Sequence, residues 1–357
     1  MKKSLDIVKP AVRGLRAYSL SPHRAQVKLN QNENAWDMPL ALRQEILHRF
    51  EQMRWSRYPD FIPASLHENL AEFSGVRSDQ IIAGNGSNEL IQAVMMVTIG
   101  PRKHVLMCEP TFALYRQVAT VLGGNVESIS LSNSLQYNSA LLFSVVEERQ
   151  PDVTVICSPN NPSGCVIDDQ DLVKLLRIAR GLVVIDEAYH EFAQHTIVPL
   201  LEQHENLVVL RTFSKAMALA ALRVGYLMAQ ADLVREIRKA VLPYNLNSFS
   251  QMAAECAVDR YETDLRPLVK RIINERQRLF DDLSAIKGLT PVPSKGNFMV
   301  VKTELDPKVV FEELLLRDVL IRDVSGYPML KKYFRVSVGR PEENDELLAG
   351  LREICGE

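Results

Sequence analysis

Lys215 lies between two apolar runs, Leu207–Leu210 and the stretch AMALAAL at 216–222. An amine with apolar flanks is partly desolvated. Desolvation disfavours the ammonium form, which makes such a lysine a good nucleophile towards an aldehyde. Eight residues on, Arg223 offers a guanidinium fork suited to a phosphate dianion, and Thr212 and Ser214 add hydroxyl donors. A second phosphate-binding candidate stands far upstream, where Gly84-Asn85-Gly86-Ser87-Asn88-Glu89 opens a helical pattern. Backbone amides at a glycine-opened helix N-terminus, here Gly86 to Asn88, bind phosphate. Glu89 fills the third glycine position of a dinucleotide fingerprint, so the loop is not read as one. A lysine for an aldehyde and a cup for a phosphate are what pyridoxal phosphate requires.

Three further segments carry groups that such a cofactor would need. Asp186 ends the apolar run Leu182–Ile185; a buried carboxylate needs a cation, and a pyridinium nitrogen would serve. The alternative is an aspartate capping a turn. Asn161 lies in SPNNPSG, where two prolines and a glycine hold the amide rigidly enough to reach a phenolate oxygen, unless the segment is only a surface turn. Tyr189, three residues past Asp186, is placed to share that task. Phe112, in EPTFALY, is read either as a ring that stacks on the cofactor or as core. His190-Glu191-Phe192-Ala193-Gln194-His195 resembles the zinc-binding HExxH, but the second histidine comes one position late and the two rings would not share a helix face. No metal is expected.

These groups follow short apolar segments that alternate with helical ones. Strands are expected at 80–83, 104–108, 126–129, 153–157, 182–185 and 207–210, several continuous and β-branched as strands covered on both faces should be. Helices are expected at 87–97, 111–122 and 168–179. This alternation implies right-handed crossovers and a mostly parallel sheet, and ligands bind beyond the carboxyl ends of such strands, where the groups above all fall. After about residue 245 a long charged helix, 264–284, leads into strands at 297–302, 319–322 and 334–338 and a closing helix, 341–354. We expect an α/β protein with a large domain at 41–245 and a smaller α+β domain made of 1–40 and 246–357.

With 357 residues the chain exceeds what one core usually organises, about 250–300 residues. Its net charge of -2 gives no reason to expect nucleic acid or an anionic membrane as partner. Five scattered cysteines without a CxxC pair read as reduced thiols, and the polar start is not read as a signal peptide, so a cytoplasmic location is expected.

Together, RTFSKAMALAALRVGY, SPNNPSG, DEAYHEF and RYPD (57–60) resemble the fold-type I pyridoxal-phosphate-dependent aminotransferases. LPYNLNSFSQ (242–251), VLIRDVSGYP (319–328) and Tyr18 resemble the histidinol-phosphate aminotransferase subfamily. The resemblance spans nearly the whole chain. It implies that Lys215 carries the cofactor covalently and shuttles protons, and that Asp186 meets the ring nitrogen. Asn161 and Tyr189 would meet the phenolate oxygen, while Thr212, Ser214, Arg223 and 86–88 would hold the phosphate. It also implies a homodimer in which Tyr58 reaches a neighbouring subunit's cofactor. Arg335 would bind the substrate anion, with Arg322 as a second anion residue, Tyr18 as a hydroxyl donor and Tyr244 on the imidazole side. For Arg322 a salt bridge to Asp318 or Asp323 is the alternative. The expected reaction exchanges an amino group between histidinol phosphate and 2-oxoglutarate. An aromatic amino-acid aminotransferase and a threonine-phosphate decarboxylase are the alternatives. Ala35, Phe112 and the Ser87-Asn88 pair depart from common family residues, which bears on substrate preference.

Overall fold

The structure is a computed structural model that describes residues 4–15, 17 and 23–356. Its thirteen strands, in chain order, are β1 (Val27–Lys28), β2 (Ile81–Gly84), β3 (His104–Glu109), β4 (Asn125–Ser130), β5 (Val153–Cys157), β6 (Leu182–Asp186), β7 (Leu207–Thr212), β8 (Gly225–Ala229), β9 (Leu289–Pro291), β10 (Phe298–Thr303), β11 (Val319–Leu320), β12 (Arg322–Asp323) and β13 (Tyr333–Ser337). Seven of them form one sheet in the order β2-β8-β7-β6-β5-β3-β4. Only β8 runs against the others.

The apolar runs are continuous because the sheet is covered on both faces. Successive residues of β6 and β7 alternate between two apolar clusters: Val183, Ile185, Leu207 and Val209 face one, and Val184, Val208 and Leu210 the other. Pleating sends neighbouring side chains to opposite faces, so a strand with two buried faces is apolar along most of its length, and Asp186, Arg211 and Thr212 come at the carboxyl ends. The first cluster takes in helices Leu40–Glu51, Ala64–Ser74, Ser139–Arg149 and Asp169–Ile178, and the second helices Ser87–Thr98, Leu114–Leu122 and Ala231–Arg238. Helix Ser248–Asp259, beyond the expected boundary at 245, still belongs to the first cluster through Ala253, Ala254 and Cys256.

A four-stranded antiparallel sheet, β12-β13-β10-β9, forms a further layer. It packs on helices Arg266–Ser284, Pro307–Leu316 and Pro341–Cys355 through Leu279, Val310, Leu314, Leu347 and Leu351. The N-terminal segment joins it, with β1 pairing in parallel with β11.

Three local expectations need correction. No strand is expected at 225–229, but β8 lies there; its five residues are all buried, and it runs back along β7. The helix expected from 111 begins at Leu114, and Thr111, still in the preceding loop, donates its hydroxyl to Asn160 Oδ1 at 2.8 Å. The strand expected at 319–322 is broken at Ile321: β11 pairs with β1, while β12 pairs with β13. That break sets Arg322 directly across from Arg335.

Candidate active site

At the carboxyl ends of β5, β6 and β7 a cavity of about 340 Å³ is lined by Ser87, Asn88, Phe112, Asn161, Asp186, Tyr189, Thr212, Ser214, Lys215, Arg223, Arg322 and Arg335. Parallel strands deliver these groups from distant parts of the chain to one crevice.

Lys215 is held by buried Phe213, Ala216 and Met217. Its Nζ donates to the Gln31 carbonyl at 2.9 Å and stands 5.8 Å from the centre of the Tyr189 ring. Burial, reinforced by the positive Arg335, pulls the amine down to about 7. A large share is therefore unprotonated near neutral pH, as a nucleophile requires.

Asp186 is buried at the end of β6, on the far side of the cavity. The Tyr115 hydroxyl donates to Oδ2 at 2.6 Å and the Ala188 amide to Oδ1 at 3.0 Å. Burial raises its pKa. Among the described residues it makes no salt bridge. A buried carboxylate with two neutral donors and no cation still calls for a positive partner.

Tyr189 is buried between two amides: Asn32 Nδ2 donates to its hydroxyl at 3.1 Å and Asn161 Nδ2 at 3.3 Å. Both contacts use the oxygen as acceptor, which leaves the phenolic proton for another acceptor in the cavity. Burial pushes this phenol up, so it stays protonated.

The other end of the cavity is a helix N-terminus. Gly86 precedes helix Ser87–Thr98 with φ 78°, in the left-handed region, and an added Cβ would stand 2.7 Å from the Arg223 guanidinium. Gly225 of β8 lies so near that an added Cβ would meet the Ser87 amide nitrogen at 2.4 Å. Arg223 Nη1 donates to Ser214 Oγ at 3.0 Å, and Thr212 Oγ1 accepts from the Ser214 amide at 3.1 Å. Amide dipole, guanidinium and hydroxyls converge, as a phosphate group needs.

On the side facing the smaller sheet, Arg335 Nη1 donates to Asn161 Oδ1 at 2.6 Å and Nη2 to the Asn30 carbonyl at 2.7 Å. Among the described residues, Asn30 Oδ1 is buried on the cavity wall without a hydrogen-bond partner. Arg322 pairs with Arg335 across β12 and β13, so both side chains leave the same face. Among the described residues Arg322 makes no salt bridge, and Asp323 instead accepts from the Ser325 amide at 2.8 Å. Like charges set opposite each other repel unless an anion lies between them.

Two expected residues stand elsewhere. Tyr58 and Tyr244 are not on the cavity wall; they are exposed and stack on each other at 4.7 Å, with Phe61 edge-on to Tyr244 at 5.6 Å. Tyr58 was expected at a neighbouring subunit's site, but Tyr244 was expected at this chain's own. Its backbone, with φ 57°, turns the ring out towards Tyr58. Tyr18 lies outside the described residues. The His190 motif forms only a four-residue helix, His190–Ala193, and His195 turns away to Asp169 at 3.0 Å. Tyr115 and Asn32 were missed; the aromatic pair of EPTFALY, three residues apart, could have revealed Tyr115.

A crevice that pairs a depressed lysine with a phosphate cup and a buried carboxylate defines an amino-group-transferring class, and sequence comparison agrees. The chain belongs to the aminotransferase class I and II family, whose model matches residues 24–351. Within it the chain is similar to the histidinol-phosphate aminotransferases of Chlorobium phaeobacteroides, 36% identical over 100% of this chain and 99% of the relative, and Chlorobium limicola, 34% identical over 99% and 100%. Its fold matches the crystal structure of histidinol-phosphate aminotransferase from Sinorhizobium meliloti in complex with pyridoxal-5'-phosphate. The TM-score is 0.87 at 22% identity, over 97% of this chain and 96% of that one. The architecture is thus that of fold-type I aminotransferases, as expected.

Proposed function

We propose that this aminotransferase exchanges an amino group between L-histidinol phosphate and 2-oxoglutarate, giving imidazole-acetol phosphate and glutamate in histidine biosynthesis, with pyridoxal 5'-phosphate held in the crevice. The observation that carries the substrate reading is the cross-strand pair Arg322 and Arg335, which presents two cations to one cavity and suits a phosphate or a carboxylate in turn. The full-length similarity to enzymes of that name supports it.

The residues fit the cofactor. Pyridoxal phosphate supplies an aldehyde to take up the amino group and a ring to spread the electron pair left when the substrate carbon loses its proton. Arg223, Ser214, Thr212 and the amides at 86–88 would hold its phosphate, and Phe112 would offer an aromatic face to the ring. Asp186, its carboxylate oriented by Tyr115, would hold a proton on the ring nitrogen. Tyr189, steadied by Asn161 and Asn32, would donate to the ring oxygen. Lys215 would hold the aldehyde, and its amine is the group placed to move a proton at the substrate carbon. Tyr18 and the N-terminal segment belong to the substrate side of the same reading.

The chain acts as a cytoplasmic homodimer in this proposal, and Tyr58 completes the neighbouring subunit's site. The exposed aromatic cluster of Tyr58, Phe61 and Tyr244 supports a buried subunit face, as such patches are rare on monomers. The division into a large domain from 41 and a smaller one that includes 1–40 is part of the proposal too, with the boundary after helix Ser248–Asp259 rather than at 245.

The test is a half-reaction followed by the cofactor's absorbance. Histidinol phosphate should convert the purified protein to the amine form of the cofactor, and 2-oxoglutarate should reverse it. Faster conversion by phenylalanine would move the assignment to the aromatic aminotransferases. Release of carbon dioxide from threonine phosphate would move it to the decarboxylases.

A further inference from the structure

A second cavity of about 280 Å³ opens between the Gly164–Val166 segment and the helix Arg266–Ser284, and it shares no lining residue with the first. Its wall carries two cations, Arg276 and Lys295, and no acidic side chain. Arg276 is half-buried, and Nη1 donates only to backbone carbonyls, Gly296 at 2.9 Å and Phe192 at 3.3 Å. Among the described residues it makes no salt bridge, unlike Arg278 two residues on, which is tied to Glu275, Asp282 and Asp345. The carboxylates of this helix are engaged elsewhere: Glu275 accepts from Arg278 at 2.8 Å, and Asp281 accepts from Gln277 at 2.9 Å. Burial pulls Arg276 down to about 10 with no anion opposing it. Val166, Phe280, Pro293 and Met299 give the wall an apolar part, and Gln136, Gln277 and Ser294 add neutral polar groups.

A desolvated guanidinium without a counter-charge is costly, and an anion in the cavity would offset that cost. We propose that this cavity is a binding site for a small organic oxyanion, a carboxylate or phosphate with an apolar body, separate from the transamination centre. Arg276 and Lys295 take the oxyanion, Ser294 supplies a hydroxyl, and the body lies on Phe280 and Met299. A free amino acid fits worse, because its ammonium group would face two cations. The cavity is small for a drug-sized ligand and suits a molecule of amino-acid size. Its position also ties it to the active site. The Lys295 amide donates to the Gly164 carbonyl at 2.8 Å, and the Gly164 amide donates to the carbonyl of Asn160, next to Asn161. An added Cβ at Gly164 would strike Ser294, so the two walls meet without slack.

Calorimetric titration of the full purified chain with phenylacetate, and separately with phenyl phosphate, tests this. Each probe should show a binding event that persists when Arg335 is replaced by lysine. Lys295→Gln and Arg276→Gln should each weaken that event roughly tenfold, the loss of one charge-assisted contact. Tighter binding of phenyl phosphate marks a phosphate ligand, and tighter binding of phenylacetate a carboxylate. Lys295 is exposed and makes only backbone contacts, so its variant folds normally and decides the matter if Arg276→Gln does not. The proposal is overturned if the Lys295 variant binds both probes as the parent does, or if all binding vanishes in the Arg335 variant.

Discussion

Lys215 and Arg322 show how single side chains acquire function from what surrounds them. With the amine pulled down to about 7 from its ordinary 10.5, the folded chain holds fewer protons at this site than the unfolded chain between those pH values. Stability of the cofactor-free protein should therefore rise with pH across that window and gain nothing from this group below it. Thermal midpoints of the parent and of Lys215→Met, measured from pH 6 to about 10, check this; parallel curves would contradict it. In the cofactor-bound protein, borohydride should trap the cofactor on Lys215, and Lys215→Ala should lose turnover while keeping its fold by circular dichroism. Arg322, lacking a carboxylate of its own, should act on the substrate anion. Arg322→Ala should weaken histidinol phosphate by about 1.5–3 kcal/mol and histidinol, which lacks the phosphate, by less. Equal losses for both would assign Arg322 a structural role.

Elements set the phosphate cup. β8 lies against the start of helix Ser87–Thr98, and Gly225 permits that approach: an added Cβ would meet three backbone atoms within 2.9 Å. Backbone yields less than a flexible side chain, so the strand and helix must part. Gly225→Ala should destabilise the protein by about 1–3 kcal/mol and loosen cofactor retention. Gly100→Ala, with nothing within 4 Å of the added carbon, is the control. Chemical denaturation and gel filtration followed by absorbance read both effects. The same contact explains why β8 escaped sequence reasoning. Its glycine follows the AMALAAL run and a positively charged turn, and nothing local marks a strand that reverses direction.

For the whole molecule, the exposed aromatic stack of Tyr58 and Tyr244 is the feature that calls for a partner. If Tyr58 completes a neighbour's site, Tyr58→Phe and Lys215→Ala proteins should each be impaired alone. Mixed after mild dissociation, they should regain part of the activity, since one site of each hybrid has both groups intact. A fully active monomer by sedimentation would rule this out.

Composition and motif spacing were enough to determine the α/β class, the six parallel strands and most of the cavity wall. These are local matters: buried strands must be apolar throughout, and chemistry in such sheets follows strand ends. Lys215, Asp186, Asn161, Tyr189 and Arg223 were legible because each sits just past an apolar run or in a turn of restricted conformation. Only the tertiary structure decided pairings between distant segments. The switch at Ile321 that faces Arg322 to Arg335 is a choice between two partner strands, β1 and β13. Tyr115 reaches Asp186 across 71 residues of sequence, and Asn32 reaches Tyr189 across 157. Such contacts depend on how sheets and helices stack, and a local pattern of residues carries no record of which far segment will be its neighbour.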